Sequence, residues 1–370
     1  MTKDSSENRI YEAEQLEGKV IANIKIPSWA AIDNIKYPKR LSMEQCSSEY
    51  TAKYKANLVQ GDSFTDLTGG FGVDFAFMSQ SFKKATYNEQ NTDLFNIANH
   101  NFKLLQLNNV QTINYDAIEY LNSIKKQNCI YIDPARRSKS GRKMIRLEDC
   151  EPDLTQIKDK LLSKCDTLIV KLSPMLDMDA ALKNLPETSD IHVISIKNEC
   201  KELIFVLQTN NEHASTQIHC VNILEKPCFT FTKDEEKNAQ SFFSMPLKYL
   251  YEPNSSILKA GAFKMVGIKY NAYKLHINSH LYTSKELIDS FPGRCFEIME
   301  ICSAHKNKLK HIQKANLAIR NFPSSVDELQ KKIGIKDGGE LYLFATTILD
   351  GSKNILVCKK VNKNDISEAL

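Results

Sequence analysis

From residue 63 to residue 207 the chain repeats one pattern: a short apolar run, a turn, then a helix-like segment. The runs at 63–67, 84–88, 110–113, 129–132 and 167–172 have the length of strands. The segments between them space apolar residues as a helix does, for example Leu94, Ile97, Ala98, Phe102 and Leu105. Strands alternating with helices predict a parallel sheet covered on both faces. Two further runs, 191–196 and 203–207, are close enough to close the sheet as an antiparallel hairpin. In such a sheet ligands bind beyond the carboxyl ends of the strands, where the strand order reverses.

The flanks read differently. Residues 1–60 are polar and mostly helical, broken near Pro27 and Pro38. Lys226-Pro227 is a boundary, and Lys233 to Lys237 a charged connector. Beyond it, Thr283-x-x-Glu286 and Ser325-x-x-Glu328 are capping-box patterns that should each open a helix. Asp350-Gly351 should turn a hairpin between two apolar runs. The 370 residues thus divide into a helical lead (1–60), the sheet domain (61–225) and two small α+β units (226–280 and 281–370).

Composition excludes several classes. With 42% hydrophobic and 25% charged residues the chain is globular, not disordered. The longest apolar run, 341–349, falls well short of the roughly 18 residues a membrane helix needs. The polar start carries no signal-peptide pattern. Ten cysteines contain no CxxC and no paired metal spacing, so free buried thiols in a reducing cytoplasm are expected, and no structural metal.

Three places could carry chemistry. The first is the loop Asp66 to Asp74, with Gly69, Gly70 and Gly72 between strand and helix. It fails the dinucleotide fingerprint, because Phe75 stands where a third small residue is needed, and this disfavours a nicotinamide-dependent oxidoreductase. An acid followed by spaced glycines resembles instead the loop of class I methyltransferases that use S-adenosylmethionine; Asp66, Gly70 and Gly72 fit, and Thr68 replaces a glycine. The second is Glu89, ending strand two, whose carboxylate can accept both hydroxyls of a ribose, with Asp116 after strand three suited to an adenine amino group. The alternative for Asp116 is a helix-capping residue on the surface. The third is Asp133-Pro134-Ala135-Arg136-Arg137 at the end of strand four. There an acid can orient or deprotonate an acceptor, a proline stiffens the loop, and arginines can hold phosphate.

The chain resembles the bacterial class I methyltransferases that carry a THUMP-like domain at the C-terminus. The matching stretches are Leu41 to Glu49 with Thr51 to Ala56, Asp66 to Asp74, Tyr131 to Arg137, Tyr251-Glu252-Pro253-Asn254, Lys259-Ala260-Gly261, Phe291-Pro292-Gly293-Arg294, Arg320-Asn321-Phe322-Pro323 and Lys336-Asp337-Gly338-Gly339. They follow the family's order along nearly the whole chain. The resemblance implies a Rossmann-like methyltransferase sheet, a helical lead, a ferredoxin-like unit and a THUMP-like end. It implies S-adenosylmethionine as cofactor, with Gln45, Ser47 and Thr51 near its methionine end. From the THUMP-like label it implies RNA, either tRNA or rRNA, as acceptor.

Charge offers independent support for RNA. The formal excess is only +4, but residues 301–340 hold eight Lys+Arg against four Asp+Glu. Lys306, Lys310 and Arg320 are the candidate phosphate contacts there, and a solvated helix face is the alternative. No cysteine lies from Asp166 to Met178 around the end of strand five, Cys129 lies inside strand four, and Cys150 stands far along a loop. Attack at a ring carbon through a covalent cysteine is therefore disfavoured, leaving transfer to a nitrogen or hydroxyl. The competing readings are an inactive RNA-binding protein with a methyltransferase fold, suggested by Thr68, and a protein or small-molecule methyltransferase.

Overall fold

The computed structural model describes residues 3–136, 146–209, 215–225 and 228–361. The chain divides into two units, Met1–Ile194 with Lys201–Thr216, and Ser195–Cys200 with Gln217–Leu370.

The first unit opens with helices α1 (Lys3–Lys25), α2 (Pro27–Ala30), α3 (Arg40–Gln45) and α4 (Glu49–Ala56). Pro27 occupies the first turn of α2, where its missing N–H would have had no helical partner. Buried Trp29 packs edge-on against Phe71 at 5.2 Å, which fastens the lead to the loop after the first strand.

The alternating pattern then appears as β1 (Gly61–Asp66), α5 (Val73–Met78), β2 (Phe82–Asn88), α6 (Thr92–Leu104), β3 (Val110–Ile113), α7 (Ala117–Ser123) and β4 (Gln127–Ile132). A short pair follows, β5 (Ala135–Arg136) with β6 (Cys150–Glu151), then α8 (Leu154–Ser163), β7 (Cys165–Leu172), α9 (Met178–Asn184), β8 (Thr188–Ile196) and β9 (Glu199–Gln208). Strands β1, β2, β3, β4 and β7 pair in parallel, while β9 runs antiparallel to β7. Within this unit the order is β8-β9-β7-β4-β1-β2-β3, so the direction of winding reverses between β1 and β4. Phe75, the residue that spoils a dinucleotide fingerprint, is wholly buried against Phe64, Tyr87 and Phe102 at 5.2–5.8 Å. Its bulk fills the seam between α5 and the sheet, a burial worth roughly 1.5–3 kcal/mol.

The second unit contains the antiparallel pair β10 (Gln217–Ile223) and β11 (Phe229–Thr232). The expected charged connector is instead a helix, α10 (Lys233–Asn238), started by a capping box between Thr232 and Glu235. There follow β12 (Tyr249–Pro253), α11 (Ser255–Ala260), α12 (Met265–Lys269), β13 (Tyr273–Lys274), β14 (Tyr282–Ser284), β15 (Gly293–Ser303), β16 (Asn316–Arg320), α13 (Val326–Ile333), β17 (Leu341–Thr347) and β18 (Lys353–Lys360). Seven strands form one sheet in the order β13-β14-β12-β15-β18-β17-β16. The Ser325 box opens α13 as expected, and Asp350-Gly351 lies in the turn joining antiparallel β17 and β18. Thr283 does not open a helix. It is buried in β14, where its hydroxyl donates to the Tyr249 carbonyl at 2.7 Å and accepts from Leu247 N–H at 2.8 Å. Pairing with β12 takes up the groups that a cap would have needed.

Candidate active site

A cleft of about 780 Å³ lies at the carboxyl ends of β1, β2, β3, β4 and β7, where the strand order reverses. Its floor is the loop after β1. Gly70 has φ +55° with no side chain close to the position of an added Cβ, and Gly72 has φ +88° with the Phe102 ring 2.6 Å from that position. Both backbones are left-handed, which a larger residue resists, and at Gly70 the chain is open to close approach by a ligand. Thr68, in place of a glycine, accepts the backbone N–H of Asp133 through its hydroxyl at 2.7 Å. Asp66 is fully buried beneath the loop and accepts Thr68 N–H at 3.0 Å. Burial and the nearby carboxylates Asp74, Asp133 and Glu89 push its pKa well up.

Two carboxylates stand on one side. Glu89 is buried and accepts Gly70 N–H at 2.8 Å and Asn91 N–H at 2.7 Å. Asp116 caps α7, with Oδ1 accepting from Ile118 and Glu119, and it also lines the cleft. Asp116 is thus the helix-capping residue of the alternative reading, placed at the cleft.

The other side contains a network that the sequence did not reveal. Lys171, near the end of β7, donates to Asp133 Oδ2 at 2.7 Å and Ser47 Oγ at 3.0 Å, and lies 3.5 Å from Asp74 Oδ2. Lys55, wholly buried in α4, contacts Asp74 Oδ1 at 3.0 Å and Glu202 Oε1 at 2.7 Å. Ser47 and Tyr131 each donate to Asp74 Oδ2 at 2.7 Å. Burial opposes charge on Asp74, but Lys55 and Lys171 outweigh it and hold its pKa well below the ordinary carboxylate value. Burial likewise opposes charge on Lys171, and Asp133, Asp74 and Glu202 prevail to raise its pKa. Five separate chain segments, those of Ser47 with Lys55, Asp74, Tyr131 with Asp133, Lys171 and Glu202, are thereby fixed to one another at the cleft wall.

Gln45, Ser47, Asp66, Thr68, Gly69, Gly70, Gly72, Glu89, Asp116, Asp133 and Pro134 all line this cleft. Thr51 does not. It is buried in the first turn of α4, its hydroxyl donating to Ser48 O at 3.1 Å. Arg136 places its backbone in β5, and Arg137 lies outside the described residues. Cys150 is not remote: β6 pairs with β5, Cys150 opposite Arg136, which brings it into the cleft lining. No local signal announced the pairing of β5 with β6. In the second unit, Lys306 and Lys310 are exposed between β15 and β16, in a short 3₁₀ turn and loop, not on a helix face. Arg320 ends β16 and is tied to buried Glu252, which also binds Arg294. Among the described residues no group of three or more His, Cys, Asp or Glu could hold a metal ion, and no helix is long and apolar enough to cross a membrane.

Comparison with known proteins gives a consistent picture. Residues 249–292 match a family described as a ferredoxin-like domain, and residues 293–360 one described as THUMP domain-like. No curated protein matches the chain. The crystal structure of a candidate methyltransferase from Porphyromonas gingivalis W83 is 37% identical, covering 96% of this chain and 91% of that one, with a TM-score of 0.89. An rRNA methylase from Streptococcus thermophilus is 14% identical over 43% of this chain and 94% of that one, with a TM-score of 0.32. TrmK of M. capricolum, solved with S-adenosylhomocysteine, is 14% identical over 46% of this chain and 72% of that one, with a TM-score of 0.34. The last two are distant likenesses, and nothing below rests on them.

Proposed function

Because the chain belongs to the bacterial class I methyltransferases that carry a C-terminal THUMP-like domain, we propose that it transfers a methyl group from S-adenosylmethionine to RNA. Transfer goes to a nitrogen or hydroxyl without a covalent cysteine intermediate. The observation that carries this reading is the convergence of Glu89, Asp116 and the Gly70 backbone with the Asp133–Lys171 pair in one cleft.

The residues fit the cofactor. Gly70 leaves open the approach that an adenosine needs, and the cleft volume lies in the range of small-ligand sites. Each carboxylate oxygen of Glu89 accepts one N–H and keeps capacity for a ribose hydroxyl. Asp116 caps α7 through Oδ1, which leaves Oδ2 for the adenine amino group. Gln45 and Ser47 line the region assigned to the methionine end. When bound, S-adenosylmethionine supplies a methyl group on positively charged sulfur. The chain's own task is then to align the acceptor, through Asp133 and the loop stiffened by Pro134.

Neither cleft cysteine is prepared as a nucleophile. Burial raises the Cys46 thiol, and Cys150 is buried with its Sγ 3.7 Å from the Arg146 carbonyl, an acceptor that favours the protonated thiol. Thr68 gives no support to an inactive protein, since its hydroxyl is used to hold Asp133. The THUMP domain-like match and the exposed lysines at 306 and 310 support RNA as the acceptor.

The test is incubation with methyl-labelled S-adenosylmethionine and, in parallel, total RNA, total protein and small-molecule extract from a strain lacking the gene. Label in RNA, lost in Asp133→Ala, is expected. Label confined to protein or small molecules would exclude RNA.

A further inference from the structure

We infer that the acceptor is a nitrogen of an extruded nucleobase and not a ribose hydroxyl. This rests on the RNA-methylating reading and narrows it.

The charge of the cleft supplies the reason. Among the described residues, nine that line the cleft carry carboxylates, and two, Lys171 and Lys201, carry ammonium groups. The N–H groups of Lys171 are directed at Asp133, Ser47 and Asp74, so it is not available to a phosphate. Crediting both lysines, and Lys55 behind the wall, still leaves the cleft negative; so does protonating Asp66. On the acceptor side the walls are Asp133, Glu151 and Asp153, interleaved with Pro134, Pro152 and Pro174. A cleft in which one sign of charge predominates, with partly apolar walls, concentrates its field and repels an entering phosphate.

A ribose 2′-hydroxyl sits on the carbon next to the one that bears the 3′-phosphate. It cannot reach the methyl group without drawing that phosphate into the carboxylates. A base nitrogen stands at the far edge of a flat, uncharged ring, so an extruded base enters while its phosphates stay outside. Half-buried Pro174 offers uncharged apolar surface to such a ring, while Pro134 and Pro152 are buried in the wall. Asp133 offers the polar contact: Lys171 fixes Oδ2, while Oδ1 has no partner among the described residues and can accept an N–H.

The acceptor nitrogen forms the new N–CH3 bond with its lone pair as the S–CH3 bond breaks. The bonding pair stays on sulfur, giving the uncharged thioether, and the displaced N–H proton passes to the Asp133 carboxylate and on to water. The product has lost the positive charge that the acidic cleft favours, which eases its release.

The full chain is incubated with methyl-tritiated S-adenosylmethionine and total RNA from a strain lacking the gene. One portion of the RNA is hydrolysed with alkali, and another is digested to nucleosides for mass spectrometry. The expected result is label running with mononucleotides and a nucleoside methylated on a base nitrogen. Label in alkali-stable dinucleotides marks a 2′-O-methyl group and overturns the inference while RNA methylation stands. A methyl on a base carbon overturns it equally. RNA without label overturns the RNA reading itself and the inference with it.

Discussion

The Thr68 hydroxyl accepts the backbone N–H of Asp133 at 2.7 Å, joining the loop after β1 to the loop after β4. These loops serve the two sides of the cleft, so a glycine at 68 would leave them unconnected. Thr68→Val keeps the shape and removes the acceptor. Leaving that N–H unpaired should cost about 1–2 kcal/mol in urea unfolding. Methyl transfer should fall more than S-adenosylmethionine affinity does, because Asp133 is the residue proposed to align the acceptor. Thr68→Ser should restore both.

Lys55 has no exposure and stands between Asp74 and Glu202. Removing it leaves two buried carboxylates with a smaller share of positive charge. Lys55→Met should therefore destabilise the protein by about 3–5 kcal/mol, measured by denaturant unfolding. Adding Glu202→Gln should recover part of that loss, since it removes one of the uncompensated charges. Strict additivity of the two single effects would show that the pair is not coupled.

Asp66 gives a pH dependence of defined sign. Its pKa is raised in the folded state, chiefly by burial, above the ordinary value of about 3.9. The folded protein thus holds this proton more tightly than the unfolded chain does. Its contribution to stability is full below the unfolded pKa and is lost as pH rises through the folded one. Asp66→Asn keeps an oxygen for Thr68 N–H and never ionises. Its stability relative to the parent should rise as pH increases above about 4, and a gap that stays constant would contradict the assignment.

How much of this was legible follows from the range of the interactions. Strand–helix alternation is local, so β1, β2, β3, β4 and β7 and the glycine loop could be read from periodicity and turn residues, and Asp133 from its place at a strand end. Lys55 and Glu202 are 147 residues apart, and each alone looks like an ordinary solvated side chain. Only the sheet brings them together. Lys171 sits at a strand end already considered, yet its role depends on Ser47, Asp74 and Asp133 from three other segments. Cys150 was misplaced for the same reason, because the β5–β6 closure has no local signature.

On the proposed function, the exposed lysines of the second unit would bear on RNA affinity rather than on chemistry. Lys306→Ala with Lys310→Ala should weaken RNA binding across sequences. The salt dependence should also flatten, by about 0.7 in log–log slope for each single-strand phosphate contact removed. Filter binding at several salt concentrations measures both. Unchanged slopes would remove these two residues from the RNA surface.

Glu252, Arg294 and Arg320 behave asymmetrically because their burial differs. Glu252 has a side-chain exposure of 2%, whereas the arginines stand at 34% and 37%. Arg294 also lies over the Phe296 and Tyr342 rings at 5.6 and 5.8 Å. Glu252→Gln removes the buried charge, and the arginines can turn to water, so the loss should be about 1–3 kcal/mol. Arg294→Met with Arg320→Met strands a carboxylate in the interior, for which about 3–5 kcal/mol is the expected cost. Urea unfolding of the two variants beside the parent gives the order directly. The reverse order would mean that water reaches Glu252 once the arginines are gone.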